Sequence, residues 1–336
     1  MTYLLRHPNS KSNQESDMHI IRRRGWEIPE SQVTSEAAVL NRRGLIAGAA
    51  ALSIGGLAFP ARAQAPMAET AVPGGTGPRN AKFEPGRELS AEKDATTYNN
   101  YYEFSEGKNL WRDAQALKTR PWTVKIEGLV KQPRTIGIDD LLKQVNLEER
   151  IYRHRCVERW AMTVPWTGFP VSDLLKIAEP LGSAKYIAFT TLEDKQVMPG
   201  LRASYYPWPY VEGMTIEEAA NDLSFMSTGL FGKPLPPQNG APLRLTLPWK
   251  YGFKSVKAIV RINFTDKRPK TFWEEIQPEE YGFWANINPA VPHRRWSQAE
   301  ETLLGSGKTV PTQIYNGYGS FVAGLYTNLQ AEKLYV

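Results

Sequence analysis

One cysteine stands among the 336 residues, so no intramolecular disulfide can form. Cys156 lies in the run Arg153-His-Arg-Cys-Val-Glu-Arg-Trp160. A lone thiol is either buried and inert or bound to something. The flanking Arg153, Arg155 and Arg159 predict a thiol drawn down towards the thiolate, the form that binds soft metals. Glu158, two residues on, stands beside such a metal if the chain turns there. The four histidines, His7, His19, His154 and His293, are scattered. That spacing speaks against zinc, haem and most non-haem iron sites. No Gly-x-Gly-x-x-Gly, Gly-x4-Gly-Lys-Ser/Thr or Gly-x-Ser-x-Gly run occurs, which removes dinucleotide, P-loop and serine-hydrolase readings.

The front of the chain adds a second clue. Arg42-Arg43 precede an Ala/Gly-rich, moderately apolar run from Leu45 to Phe59, followed by Pro-Ala-Arg-Ala-Gln-Ala. The run is too short to anchor in a bilayer and matches a secretory signal of the twin-arginine type, cut after Ala63 or Ala65. Translation starts at Met1 or at Met18. The twin-arginine translocase moves folded proteins, so the leader points to a cofactor inserted before export and to a periplasmic mature chain. Residues 1–63 hold eight Lys and Arg against five Asp and Glu, so half of the net charge of +6 belongs to the leader. The mildly basic remainder does not argue for nucleic acid.

Several elements can position this chemistry. Residues 64–95, rich in Pro, Gly, Ala and charge, read as an extended arm, and Thr97–Phe104 is a dense aromatic and amide patch. Period-two alternation predicts strands over 122–128, 243–247 and 256–264; 149–156 reads as a strand running into a loop, and 186–190 as another strand. Short helices are expected from Ile138, with Asp139 and Asp140 at the positive end, and over 171–177 with Ser172 as cap. Another is expected from Thr215, with a Thr215/Glu218 capping box. Pro234–Pro242 reads as a rigid loop, and the chain beyond Pro269 as aromatic and irregular. The domains are then 1–63 leader, 64–95 arm and 96–336 catalytic domain, the last a strand-rich α+β unit.

Longer motifs then become recognisable. Arg153–Glu158, Val164-Pro-Trp-Thr-Gly-Phe-Pro170, Leu235-Pro-Pro-Gln-Asn-Gly-Ala-Pro-Leu-Arg-Leu245 and Leu247-Pro-Trp-Lys-Tyr-Gly-Phe-Lys254 resemble the sulfite-oxidase-like molybdopterin family. Tyr98–Phe104 and Glu280–Asn286 are similar to its bacterial branch, the catalytic subunits of periplasmic protein-methionine-sulfoxide reductases. The resemblance runs from about Thr96 to the C-terminus. It implies a sulfite-oxidase-like fold holding a molybdenum with one pterin and no nucleotide, and oxo transfer from methionine sulfoxide in oxidised periplasmic proteins. It also implies a haem-containing membrane subunit that supplies electrons from quinol.

By the same resemblance, Cys156 is the protein thiolate on molybdenum. Asn99, Tyr102, Glu103, Thr191 and Asn239 contact the pterin. Arg244, with Ser255, Val256 and Lys257, holds the phosphate, the last three through backbone N–H groups and the ammonium. Ser255 stands where the family pattern has Gly. Glu158 and Arg202 face the substrate, although Leu192–Tyr206 is shorter than the pattern. The aromatic surface around Trp160, Trp166 and Trp208 is expected to form an open pocket, and His154 and His293 are expected to be structural. A sulfite oxidase or other S- or N-oxide enzyme on the same fold is the first rival. Such enzymes usually carry a C-terminal dimerisation domain, for which there is no room after Phe264. A non-enzymatic binding module is the second, and intact Cys156, Asn239 and Arg244 speak against it.

Overall fold

The computed structural model describes residues 74–335. The leader, its Arg42-Arg43 pair, both cleavage positions and the first part of the arm lie outside the described residues.

The first sheet is built on alternation. In strand β1 (Thr123–Gly128), Val124 and Ile126 point into the core while Thr123 and Lys125 face out. β1 pairs antiparallel with β2 (Arg134–Gly137) and parallel with β10 (Ile259–Thr265). β10 pairs antiparallel with β5 (Tyr186–Thr191), and β5 with β6 (Val211–Thr215). The order is β2-β1-β10-β5-β6.

The second sheet has seven strands centred on β4 (Trp160–Pro170). Along its length β4 pairs with β3 (Glu148–Arg155), and its far half takes β7 (Phe225–Leu230) on the other edge. Short β8 (Lys233–Pro234) and β9 (Arg244–Thr246) hang on β7. β11 (Glu300–Leu303) joins the near end of β4 in parallel and carries β12 (Thr309–Pro311). β4 is buried without a break from Ala161 to Phe169, so alternation could not reveal it. A Cβ on Gly168 would drive into the carbonyl of Met226, and the register of β4 against β7 shifts at that point.

The helices are one or two turns long. The helix Ile216–Ala220 has the expected capping box, with Thr215 Oγ1 accepting from Glu218 N and Glu218 Oε2 accepting from Thr215 N, both at 3.1 Å. The helix Val171–Ala178 departs from expectation. β4 runs straight into it, Pro170 is its N-cap, and Ser172 lies inside the first turn without a capping bond. The arm also departs from a separate segment. Asn80 N donates to Glu149 O and Glu149 N to Pro78 O, each at 2.8 Å, and Phe83 is buried in the core. The helix Glu92–Thr97 crosses the expected boundary at residue 95. The described arm is therefore part of the domain, because its backbone continues the second sheet past β3.

Candidate active site

Cys156 follows β3 directly. The chain turns back into β4 through Cys156–Arg159, with Cys156 N donating to Trp160 O at 2.9 Å and Arg159 N to Cys156 O at 3.0 Å. Arg159 takes a positive φ of 76° to close the turn. The turn brings Glu158 Oε2 to 3.8 Å from Cys156 Sγ. Asn100 Nδ2 bridges the two, 3.4 Å from the sulfur and 3.0 Å from the carboxylate. Burial alone would raise the Glu158 carboxyl. Hydrogen bonds from Lys108 and Asn100 outweigh it and hold the group below the ordinary carboxylate range.

The arginines do not activate the thiol as their spacing suggested. Period two along β3 sends Arg153 and Arg155 to one face and His154 to the other. Arg155 pairs with Glu301 at 3.0 Å and bonds Gln298 at 2.7 Å, Arg153 bonds Gln313, and Arg159 reaches Glu300 at 3.7 Å. Burial, with the Glu158 charge second, instead pushes the Cys156 thiol up to about 12. A proton-bearing thiol of this kind becomes a ligand only when a metal cation displaces its proton.

Cys156 and Glu158 line a partly open cavity. Nearly every residue singled out in the sequence meets there. Asn99, Tyr102 and Glu103 enter from the stretch after the helix Glu92–Thr97, and Thr191 from the end of β5. Asn239 enters from the turn Pro237–Asn239, Arg244 from the start of β9, and Ser255, Val256 and Lys257 from the loop before β10. The cavity thus gathers strand ends from both sheets.

The polar chemistry of this lining fits a pterin with a phosphate. Asn99 Nδ2 and Asn239 Nδ2 both donate to Ala95 O, at 3.3 and 3.0 Å. Their Oδ1 atoms are buried and unpartnered, as is that of Asn100, and the Asn99 and Asn239 pair is free to accept from ring N–H donors. Arg244 donates to Asn239 O at 2.8 Å and stacks over Trp166, 4.7 Å from the ring centre. Neither Arg244 nor Lys257 forms an ion pair among the described residues. Burial draws Arg244 down to about 10, and burial with the Arg244 charge draws Lys257 down to about 7. An anion between them would restore both charges. Glu103, buried in the same wall, is pushed up to about 7.

Some expectations need correction. The N–H of Ser255 donates to Gly252 O and that of Val256 to Lys254 O, so two of the three expected phosphate-binding amides are engaged within the chain. The extra hydroxyl of Ser255 accepts from Leu247 N at 3.2 Å. Arg202 does not line the cavity. It ends the turn Pro199–Arg202 as an exposed side chain, while its neighbour Leu201 takes the buried position of that turn. Trp166 is fully buried beneath Arg244, and Trp208 packs on Phe272, so neither opens the pocket. His154 lines the cavity, held neutral by burial and the nearby cations, with Gly252 leaving room for its ring.

Asn100 and Lys108, which hold Glu158, were not singled out. Asn100 stands inside the Tyr98–Phe104 patch next to Asn99, whereas nothing in the sequence marks Lys108.

Together the single thiol, the paired cations and the orphaned amide acceptors define a molybdopterin-binding oxidoreductase. Consistently, residues 112–273 match the model of the oxidoreductase molybdopterin binding domain. More particularly, the chain belongs to the family of protein-methionine-sulfoxide reductase catalytic subunits. It is 46% identical, over 91% of its length and 97% of the relative's, to the protein-methionine-sulfoxide reductase catalytic subunit MsrP of Xanthomonas axonopodis pv. citri (strain 306). Identity is again 46% with the subunit of the same name from Burkholderia mallei (strain ATCC 23344), over 93% of this chain and 96% of the relative. A sulfane dehydrogenase crystal structure, SoxCD from Paracoccus pantotrophus, overlaps 54% of this chain and 46% of its own at 19% identity, with a TM-score of 0.41.

Proposed function

We propose that this chain reduces methionine sulfoxide in proteins to methionine, as the catalytic subunit of a molybdenum-pterin reductase. The observation that carries the reading is Cys156 at the base of a cavity whose walls offer a paired cation site and two orphaned amide acceptors. When bound, the molybdenum-pterin group supplies two-electron oxo-transfer chemistry. The chain supplies position and electrostatics. Cys156 is the protein sulfur on the metal. Asn99 and Asn239 accept from the pterin, with Tyr102, Glu103 and Thr191 completing its wall. Arg244 and Lys257 take the phosphate, beside Ser255 and Val256. One such anion site in the cavity supports a single pterin without a nucleotide. Glu158, held ionised by Lys108 and Asn100, stands beside the sulfur at the side facing the mouth.

Electrons must come from outside, because the sequence has no haem- or flavin-binding segment, and the relatives are named as catalytic subunits. We propose a haem-containing membrane subunit drawing on quinol as the donor, and oxidised periplasmic proteins as substrates. The Arg42-Arg43 leader supports export by the twin-arginine translocase to the periplasm.

The test is turnover of an oxidised protein by the molybdenum-loaded chain, driven by reduced viologen. Formation of methionine supports the reading. No methionine from loaded protein, with turnover of sulfite instead, would replace it with a sulfite-oxidising function. In the same strain, Arg42→Lys/Arg43→Lys should leave the chain inside the cell; unchanged periplasmic recovery would refute the route.

A further inference from the structure

The substrate sulfoxide is one side chain of a polypeptide, and the residues on either side of it must rest somewhere. A second, open hollow of about 1000 Å³ adjoins the active-site cavity. Tyr102, Glu158, Trp273 and Tyr281 line both, so they form the passage between them. Beyond the passage the walls are Tyr205, Tyr206, Ile276 and Trp296, with Gln277 and Arg295 at the rim.

These walls are aromatic and held in place by their own packing. Tyr102 packs edge-on against Trp273 at 4.9 Å and against Tyr206 at 5.9 Å between ring centres, and Trp273 lies 5.1 Å from Tyr281. Tyr205 is 71% exposed, an open aromatic face with no core to fill. The Tyr205 and Tyr206 hydroxyls both donate to Glu106, at 2.7 and 3.0 Å, which fixes the two rings. Trp296 lies flat on His293, 3.9 Å between centres. Ordered aromatic surface with few rotatable bonds is what protein-binding faces use, because little entropy is lost when it is covered. Aromatic rims also suit the polarizable thioether of the product.

The charges at the rim are already satisfied. Arg295 pairs with Glu280 at 2.7 Å, and Glu106 is occupied by the two tyrosines. Arg295 is thus neutralised by Glu280, whereas Glu106 keeps its negative charge beside Tyr205 and Tyr206.

We infer that this aromatic hollow is the subsite that holds the residues flanking the oxidised methionine. The inference rests on the sulfoxide-reductase reading above. It assigns to Tyr205, Tyr206, Ile276 and Trp296 the recognition of polypeptide substrate, separate from the chemistry at Cys156. Continuity through Tyr102 and Glu158 is what ties the hollow to the sulfoxide.

The test compares two substrates with the molybdenum-loaded chain and reduced viologen. One is a synthetic peptide with a single central methionine sulfoxide; the other is free methionine sulfoxide. The variant Tyr205→Ala/Ile276→Ser removes two walls that do not line the active-site cavity. We expect the KM for the peptide to rise about tenfold and that for the free sulfoxide to change less than about twofold. Equal KM values for parent and variant with the peptide would overturn the inference while leaving the reductase function standing. A parallel rise for both substrates would also overturn it, as general damage to the site. A variant that is normal with viologen but slow with the native electron-donor subunit would reassign the hollow to that partner. Failure of the parent chain on both sulfoxides would sink the reductase reading itself, and the inference with it.

Discussion

At Cys156 the protein withholds the thiolate until a metal arrives. Burial and the Glu158 carboxylate push the thiol up to about 12, and the neighbouring arginines are spent on Glu301, Gln313 and Glu300. An ordinary thiol titrates near 8.5, so alkylation of the cofactor-free chain should still be accelerating above about pH 9. Glu158→Gln removes the second cause and leaves the first, so its alkylation profile should move to lower pH yet stay above that of a free cysteine. A parent profile centred near pH 8.5 would contradict this account. The residues of the site were legible because motifs carried them: Asn99, Asn239 and Arg244 all reach the cavity. The state of the thiol is not legible from nearby arginines alone, because alternate residues of a strand face opposite ways. Arg202 was misplaced because its segment has no periodic pattern to say which way it faces.

Strand ends from two sheets build the cavity, and a buried ion pair stiffens one of its walls. Lys254 Nζ donates to Glu212 Oε2 at 2.6 Å, both side chains fully buried between the loop before β10 and β6. Burial, only partly offset by Lys254, pushes Glu212 up to about 7. A carboxyl raised in the fold contributes stability that is complete below its unfolded pKa and is lost as pH rises through the folded one. With Lys254 gone the Glu212 carboxyl rises further and stays protonated in the fold, which costs little at pH 5 and more at pH 8, where the unfolded chain holds it ionised. Lys254→Met should therefore cost about 3 kcal/mol at pH 8 and clearly less at pH 5. Urea denaturation at the two pH values measures this, and equal losses would refute it. The alternating strands β1 and β10 could be read from sequence because one face of each meets solvent or a less buried layer. Strands β4 and β7 could not, because both are buried on every residue of their middles and show no period.

Over the whole molecule, the arrangement is a domain left with polar groups that only a bound group can satisfy. Two buried cations without ion-pair partners among the described residues, orphaned amide oxygens and one high-pKa thiol all face one cavity. The α+β class and the site's approximate membership were readable from patterning and motifs. The incorporation of the arm into the second sheet was not, because its backbone pairing with Glu149, and the Arg79–Glu149 and Asn80–Glu148 side-chain contacts beside it, join residues some 70 apart with no periodic pattern to link them. The central claim is that one protein sulfur, from Cys156, makes this cavity an oxo-transfer site. It is tested most directly by Cys156→Ala, assayed for methionine formation from an oxidised protein with reduced viologen, at matched pterin content. The account predicts loss of turnover by at least about a thousandfold with the fold intact. A Cys156→Ala chain that turns over like its parent would contradict it.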